Sequence, residues 1–181
     1  KVKDILSNFS CPLNKDVELF LKHKSIEFSK QGIAVTYLVF TSYKKEYLLS
    51  IYTLATKFIV IYRTILSKSL QKRINKFAQY DSDLKRYVLS APLIGQLAKN
   101  NTYNHYNLIT GDELLKLACD KVKFIQGEIG GRVVYLECED KEKLIQFYSE
   151  NGFVVFGKRR LDRDEIDVMD GTYLVQLLKY L

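Results

Sequence analysis

Two closely spaced runs of β-branched and aromatic residues constrain the fold more than any other feature of this chain. Residues 33–40 read IAVTYLVF and residues 47–62 read YLLSIYTLATKFIVIY, with a short polar segment between them. Such runs form strands, and a short polar connection joins them as a hairpin. The second run is long enough to bend or to hold a bulge near Ala55 and Thr56. The sequence therefore predicts a sheet that contains an early hairpin.

Helix and strand patterns alternate along the rest of the chain. A helix is predicted from about Asn14 to the residue before Gly32, and either Asn14 or Asp16 can cap it. The other predicted elements are a helix at 64–79, a strand at 87–98, helices at 111–124 and 141–150, and strands at 133–138, 153–156 and from Thr172 onward. This order is typical of an α/β fold in which a mixed sheet carries helices on both faces. The strands at 87–98 and 133–138 flank one helix and are expected to be parallel neighbours.

Length and composition fit a single globular domain over residues 1–181. Two prolines and nine glycines leave no segment with the composition of a linker. Three cysteines and two histidines show no metal-ligand spacing, so no metal is expected, and the chain is interpreted as a reduced, intracellular protein. The longest apolar run, at 58–62, is much shorter than the roughly 20 residues of a membrane span. A cytoplasmic protein without a membrane contact is therefore expected.

The positive charge is concentrated in the first hundred residues. The formal net charge of the chain is +7, of which residues 61–101 alone contribute +6 and residues 102–181 contribute −3. One side of the predicted helix at 64–79 is basic, with Lys68, Lys72, Arg73 and Lys76. Such a surface favours a polyanion such as nucleic acid, and it is equally typical of a solvated face. Both interpretations stay open here.

A capping box marks the start of the helix at 111–124. Thr110 and Glu113 have the spacing at which each side chain bonds the other's backbone N–H. Free N–H groups at a helix start suit a phosphate, and Gly111 allows a close backbone approach. Asp112 and Glu113 place negative charge at the same position. The feature is therefore either a phosphate site or a purely structural cap.

The order of motifs around this helix resembles the GNAT superfamily of N-acetyltransferases. LIGQLAK at 93–99 is similar to the fourth strand of that family, and FYSENGF at 147–153 contains its FYxxxGF signature in full. SIYTLA at 50–55 is similar to a strand of one bacterial branch. The resemblance covers about residues 14–181 and is strongest over 93–156. The phosphate loop departs from the family pattern, since Tyr106 and Ile109 occupy two marked positions and only Gly111 is kept.

The resemblance implies a mostly antiparallel sheet with a central, splayed parallel pair, and acetyl-CoA as co-substrate. It assigns the pantetheine arm to the backbone of Leu97, Ala98 and Lys99. The pyrophosphate is assigned to the backbone of 106–112, with these residues named: Tyr106, Asn107, Thr110, Gly111 and Asp112. Tyr148 would protonate the departing thiolate as general acid. No general base is identified, and Glu137 and Glu139 are either a proton relay or solvent-facing carboxylates.

The acceptor is expected to be a primary amine that the sequence does not name. The basic first hundred residues favour tRNA or another polyanion, as in the toxin branch of the family, which acetylates aminoacyl-tRNA. A small-molecule or protein amine is a second alternative, and a non-catalytic GNAT-fold binding module is a third, which the altered phosphate loop favours. The charged loop at 158–171 either closes over the acceptor or forms a homodimer contact.

Overall fold

The computed structural model describes residues 2–42, 46–102, 107–162 and 171–181. The helices are α1 (Val2–Ser7), α2 (Lys15–His23), α3 (Ser25–Lys30), α4 (Lys68–Ile74), α5 (Gly111–Ile129) and α6 (Glu142–Glu150), with a 3-10 turn at Arg63–Ile65. The strands are β1 (Ala34–Phe40), β2 (Leu48–Tyr62), β3 (Gln79–Asp81), β4 (Arg86–Lys99), β5 (Val133–Glu139), β6 (Val154–Arg160) and β7 (Tyr173–Tyr180). None of the helices in these ranges has the length and apolar character needed to cross a membrane.

The strands form one sheet in the order β1-β2-β4-β5-β7-β6, with β3 paired to β4. The sheet is mostly antiparallel and contains one parallel pair, which confirms the predicted class. β4 and β5 are adjacent, as expected for the strands at 87–98 and 133–138. The hairpin of β1 and β2 runs in register from Ala34 opposite Ala55 to Phe40 opposite Leu48.

The chain divides into two compact units, and the long strands β2 and β4 each contribute residues to both units. The first unit contains Lys1–Ala55 and Ile94–Val122. Its hydrophobic cluster includes Leu21, Ile51 and Ala98, which are all buried. Helices lie on both faces of β1, because α3 packs on one side and Lys121 of α5 lies over the ring of Tyr37, 5.4 Å from its centroid.

The second unit contains Thr56–Leu93 and Lys123–Leu181. Its strands β5, β7 and β6 form an antiparallel ladder in which Val133 lies opposite Tyr180 and Glu139 opposite Leu174. Helix α6 packs against β5 and β6. The side chains of Leu136, Leu177 and Leu178 are almost fully enclosed and form part of its core.

Three predicted helices differ from the structure. The helix at 14–31 is two helices, and the buried Ser25 hydroxyl donates to the Leu21 carbonyl at 2.6 Å where they meet. Helix α4 is shorter than predicted because Ser67 caps its start and the chain leaves the helix at Asn75. Helix α5 is five residues longer than predicted and ends before Gly130 and Gly131, whose φ angles of 87° and 96° suit glycine. The short helix α1 and strand β3 were not predicted.

Candidate active site

The carboxyl end of β4 is held by contacts outside the regular strand ladder. The Gln96 backbone N–H donates to the Thr53 hydroxyl at 2.8 Å, and the Gln96 side chain donates to Asp16 at 3.3 Å. Ala98 is buried in the core, while Leu97 and Lys99 are half-buried on either side of it. The three residues assigned to the pantetheine arm therefore lie on a strand end whose position is set by side chains of β2 and α2.

Asn100, which sequence reasoning missed, ties this strand end to two other segments. Its side chain is buried, and its Nδ2 donates to the Leu48 carbonyl at 2.9 Å. Its Oδ1 accepts from the Ser10 N–H at 3.0 Å and from the Thr102 hydroxyl at 2.8 Å. A buried amide with its hydrogen bonds satisfied fixes the geometry around it, so Asn100 determines where the chain leaves β4.

The start of α5 forms the predicted capping box. Glu113 accepts from the Thr110 N–H at 2.7 Å, and the Glu113 N–H donates to the Thr110 hydroxyl at 3.1 Å. These bonds from Thr110 lower the pKa of the Glu113 carboxyl, which stays ionised at the helix start. The carboxylate thus accepts from the Thr110 N–H, and Gly111 and Asp112 are the first two residues of the first helical turn.

Lys99 connects the strand end to the segment before α5. Its ammonium donates to the Ile109 carbonyl at 3.1 Å. Ile109, which stands where the resembling family has a glycine, has a side chain that is 6% exposed, so it anchors this segment in the core. Asn107, two residues before Ile109, is exposed to solvent, and Tyr106 lies outside the described residues. The first unit therefore brings together Lys99 and the start of α5.

Tyr148 lies in the second unit, on the last turn of α6. Its ring meets those of Phe147 and Phe153 edge to face, with centroids 5.0 and 6.0 Å away. Burial, and secondarily the Cys138 thiol, raise the pKa of the half-buried Tyr148 hydroxyl well above its ordinary value. Among the described residues no group forms a hydrogen bond with this hydroxyl. It is therefore a neutral donor at physiological pH.

The rest of the FYxxxGF signature builds the turn that follows α6. Gly152 has a φ of 81°, and the Phe153 N–H donates back to the Tyr148 carbonyl at 3.0 Å. The ammonium of Lys179 donates to the Asn151 carbonyl at 2.8 Å and lies 5.7 Å from the centre of the Phe153 ring. Gly152 and Phe153 thus have structural roles that position the end of α6.

Of the two alternatives that the sequence left open for Glu137 and Glu139, solvent-facing carboxylates are wrong, since their side chains are 11% and 16% exposed. Glu137 accepts from Arg159 Nε at 2.7 Å and from Gln176 Nε2 at 2.8 Å, and its side chain is 11% exposed. Glu139 pairs with Lys141 at 2.9 Å. Both carboxylates are engaged by donors that come from other strands or from the next turn, and sequence alone shows none of these partners. No cluster of His, Cys, Asp and Glu suited to a metal ion occurs among the described residues.

No protein-family profile matches the sequence, and no curated protein matches it either. Solved structures do match the fold. One is AtaT complexed with acetyl-methionyl-tRNAfMet, with 21% identity, a TM-score of 0.64, and coverage of 94% of this chain and 85% of that chain. A tyrosine-to-phenylalanine mutant of KacT has 20% identity, a TM-score of 0.63 and the same coverage.

A third structure, AtaTR bound with AcCoA, has 22% identity and a TM-score of 0.58, and the match covers 94% of this chain and 84% of that chain. At these identities the likeness concerns the fold. The chain shares the fold of these structures, and its mostly antiparallel sheet with one parallel pair confirms the sheet that the resemblance to the GNAT superfamily implies.

Proposed function

We propose that this protein transfers an acetyl group from acetyl-CoA to a primary amine. The observation that carries the proposal is the Tyr148 hydroxyl, which is neutral at physiological pH and has no hydrogen-bond partner among the described residues. A neutral hydroxyl that no described protein group engages is available to donate its proton to a ligand. A donor of this kind, in a chain with the GNAT fold, suits the protonation of a leaving thiolate.

Residues of the first unit would hold the donor. The backbone of Leu97, Ala98 and Lys99 would bond the amides of the pantetheine arm, as a peptide adds to a strand. The N–H groups of Gly111 and Asp112 would face the pyrophosphate, with help from the nearby Lys99 ammonium. The segment that we assign to the phosphates also includes Asn107 and Thr110. Tyr106 is assigned to it from its position in the sequence alone.

The reaction needs one bond formed and one broken. The amine nitrogen attacks the thioester carbonyl carbon, the C–N bond forms, and the C–S bond breaks as the tetrahedral intermediate collapses. Tyr148 donates its proton to the departing sulfur, and the proton that the amine loses passes through solvent and restores the hydroxyl. The pairing of Glu137 with Arg159 leaves that carboxylate unsuited to act as the base. Correct positioning of a neutral amine against the thioester carbonyl also lowers the barrier, without a general base.

Aminoacyl-tRNA is the acceptor that we favour. Residues 47–80 contain six basic residues and no Asp or Glu. On and just after α4, the exposed side chains of Lys68, Lys72 and Lys76 form no ion pair with any described residue. Unpaired lysines on one surface suit a phosphate backbone. The AtaT complex with acetyl-methionyl-tRNAfMet has the same fold and supports this acceptor class.

One observation favours the alternative of a binding module without catalysis. The buried Ile109 and the Glu113 carboxylate both differ from an open, glycine-rich phosphate loop. If this segment does not accept a pyrophosphate, the fold would hold a partner without performing chemistry. Binding of acetyl-CoA separates the two candidates.

The deciding experiment is a calorimetric titration with acetyl-CoA. We expect the wild type and Tyr148→Phe to bind with similar Kd, because Tyr148 acts on the sulfur after binding. Gly111→Asp should abolish binding by adding a carboxylate at the start of α5. Gly127→Asp is the matched control, since it makes the same change on α5 where a new side chain meets open space. A folded wild type that does not bind acetyl-CoA would overturn the proposal.

A further inference from the structure

The outer β2 segment, residues 56–62, has no strand partner among the described residues on the side where β1 pairs with the first part of β2. Pairing of β2 with β1 ends where Ala34 lies opposite Ala55, but β2 continues to Tyr62. Thr56, Lys57 and Phe58 are all exposed, so both faces of the strand are open at this point. A strand edge without a partner presents backbone N–H and C=O groups that can pair with another chain.

The outer β2 segment also presents a row of apolar side chains to solvent. Phe58 is 79% exposed, Val60 42% and Tyr62 53%. Ile59 and Ile61, which alternate with them, are buried. Single exposed apolar residues are ordinary, but three on one face of a strand form a continuous row about 14 Å long. The combination of an open edge and an apolar row is what a β-strand ligand requires.

The charged residues within the outer β2 segment and directly after it along the chain are positive. Lys57 lies within it and Arg63 follows it, in a stretch from 47 to 80 without an acidic residue. Neither side chain forms an ion pair with a described residue. Native edges are usually protected by several charges or a proline, and here Lys57 is the one charge among residues 56–62. A partner with acidic residues on either side of an apolar core would match this pattern.

A second copy of the chain fits the outer β2 segment poorly. The antiparallel pairing that matches the three apolar side chains is centred on Val60, with Phe58 of one copy opposite Tyr62 of the other. This register places Lys57 of one copy opposite Arg63 of the other. Like charges directly opposite each other destabilise a strand pair. Nucleic acid fits poorly too, because the row offers no charged side chain to a phosphate.

From these observations we infer that the outer β2 segment is a docking edge for an extended peptide segment of a partner protein, with alternating apolar residues and acidic flanks. The partner would add a strand beside residues 56–62. Its apolar side chains would cover Phe58, Val60 and Tyr62, and its carboxylates would meet Lys57 and Arg63. This inference does not depend on the proposed acetyl transfer.

The chain contains no tryptophan, so a peptide with one tryptophan reports binding without background from protein tryptophan. The probe is the synthetic peptide Glu-Glu-Val-Thr-Trp-Thr-Val-Glu-Glu, followed by tryptophan fluorescence. We expect saturable binding that weakens by about tenfold when Lys replaces the four Glu residues, since each flank then faces a like charge. Methylation of alternate peptide nitrogens should remove binding, because it blocks the main-chain hydrogen bonds.

Protein variants locate the edge. Phe58→Glu should weaken binding of the acidic peptide by about tenfold or more. Ile129→Glu is the control, because it also replaces an exposed apolar side chain (76% exposed) by Glu, and it should leave binding unchanged. Lys57→Glu should weaken binding of the acidic peptide and strengthen binding of the lysine-flanked peptide. The inference would be overturned if no peptide bound, or if all peptides bound equally. It would also be overturned if a single-stranded RNA oligomer displaced the peptide, or if the wild type were a dimer that Phe58→Glu converts to a monomer.

Discussion

At the scale of single residues, Tyr148 is expected to separate binding from chemistry. Tyr148→Phe keeps the ring contacts with Phe147 and Phe153 but removes the proton donor. We expect kcat for acetyl transfer to fall by about 100-fold or more, with the acetyl-CoA Kd changed by less than about twofold. Initial rates with radiolabelled acetyl-CoA and aminoacyl-tRNA measure this. Tyr173→Phe, at an exposed tyrosine, is the control, and a Tyr148→Phe enzyme with full activity would exclude the acid role.

The buried thiol of Cys138 predicts how stability depends on alkaline pH. Burial, together with Asp140 and Glu139, raises the pKa of this thiol from 9.0 to about 11. The folded protein therefore holds the proton more tightly than the unfolded chain does. Stability is complete below pH 9 and is lost as the pH rises from 9 to 11. Urea unfolding should show a decrease on the order of 2 kcal/mol across this window.

Cys138→Ala provides the test of that assignment. The variant starts from a lower stability because it removes a buried side chain, but its stability should fall less steeply between pH 9 and 11. Burial also raises the pKa values of Cys11 and Tyr135, so a residual slope is expected. An identical slope in wild type and variant would show that Cys138 does not contribute.

At the scale of elements, the capping box should matter for both stability and donor binding. Thr110→Ala removes the hydroxyl that accepts from the Glu113 N–H. We expect the free energy of unfolding to decrease by about 1 kcal/mol, and acetyl-CoA binding to weaken because the start of α5 is less ordered. Thermal unfolding and calorimetry measure the two effects. Thr64→Ala, at an exposed threonine in the 3-10 turn, should have neither effect.

The elements that were predicted well are those whose signals are local. The strands at 34–40 and 48–62 follow from runs of β-branched residues, and the start of α5 follows from Thr110 and Glu113. The break between α2 and α3 carries no proline or glycine, and it depends on packing of Ser25. Strand β3 has three residues and exists because Gln79 pairs with Val88. Such effects come from tertiary contacts and leave little trace in a local pattern.

The same division holds for the candidate site. Motifs mark Tyr148, Thr110 and Gly111 as candidates, and the roles of these residues in binding and chemistry stay predictions. Asn100 and the pairing of Glu137 with Arg159 were missed, because their partners lie 22 to 90 residues away along the chain. A single sequence does not show which distant residues are opposite each other in a sheet.

At the scale of the whole molecule, the uneven charge should control RNA binding. Replacing Lys68, Lys72 and Lys76 together by Gln should weaken binding of aminoacyl-tRNA and flatten its salt dependence by about two to three units of log–log slope. The control replaces Lys116, Lys141 and Lys158, each of which pairs with a carboxylate at 2.5–2.9 Å. Both variants lose three charges. Equal effects would show that net charge, and not the α4 surface, attracts RNA.

Both compact units take one segment from each half of the chain, and this arrangement affects how the protein is made. The first unit is incomplete until Val122 has been synthesised, and the second needs β7 to pair with β5 and β6. Translation proceeds at about 5–20 residues per second, so β2 and β4 wait for seconds on the ribosome before their units can close. A nascent chain that ends before Val122 therefore contains neither unit in full, and its strands are exposed for that time.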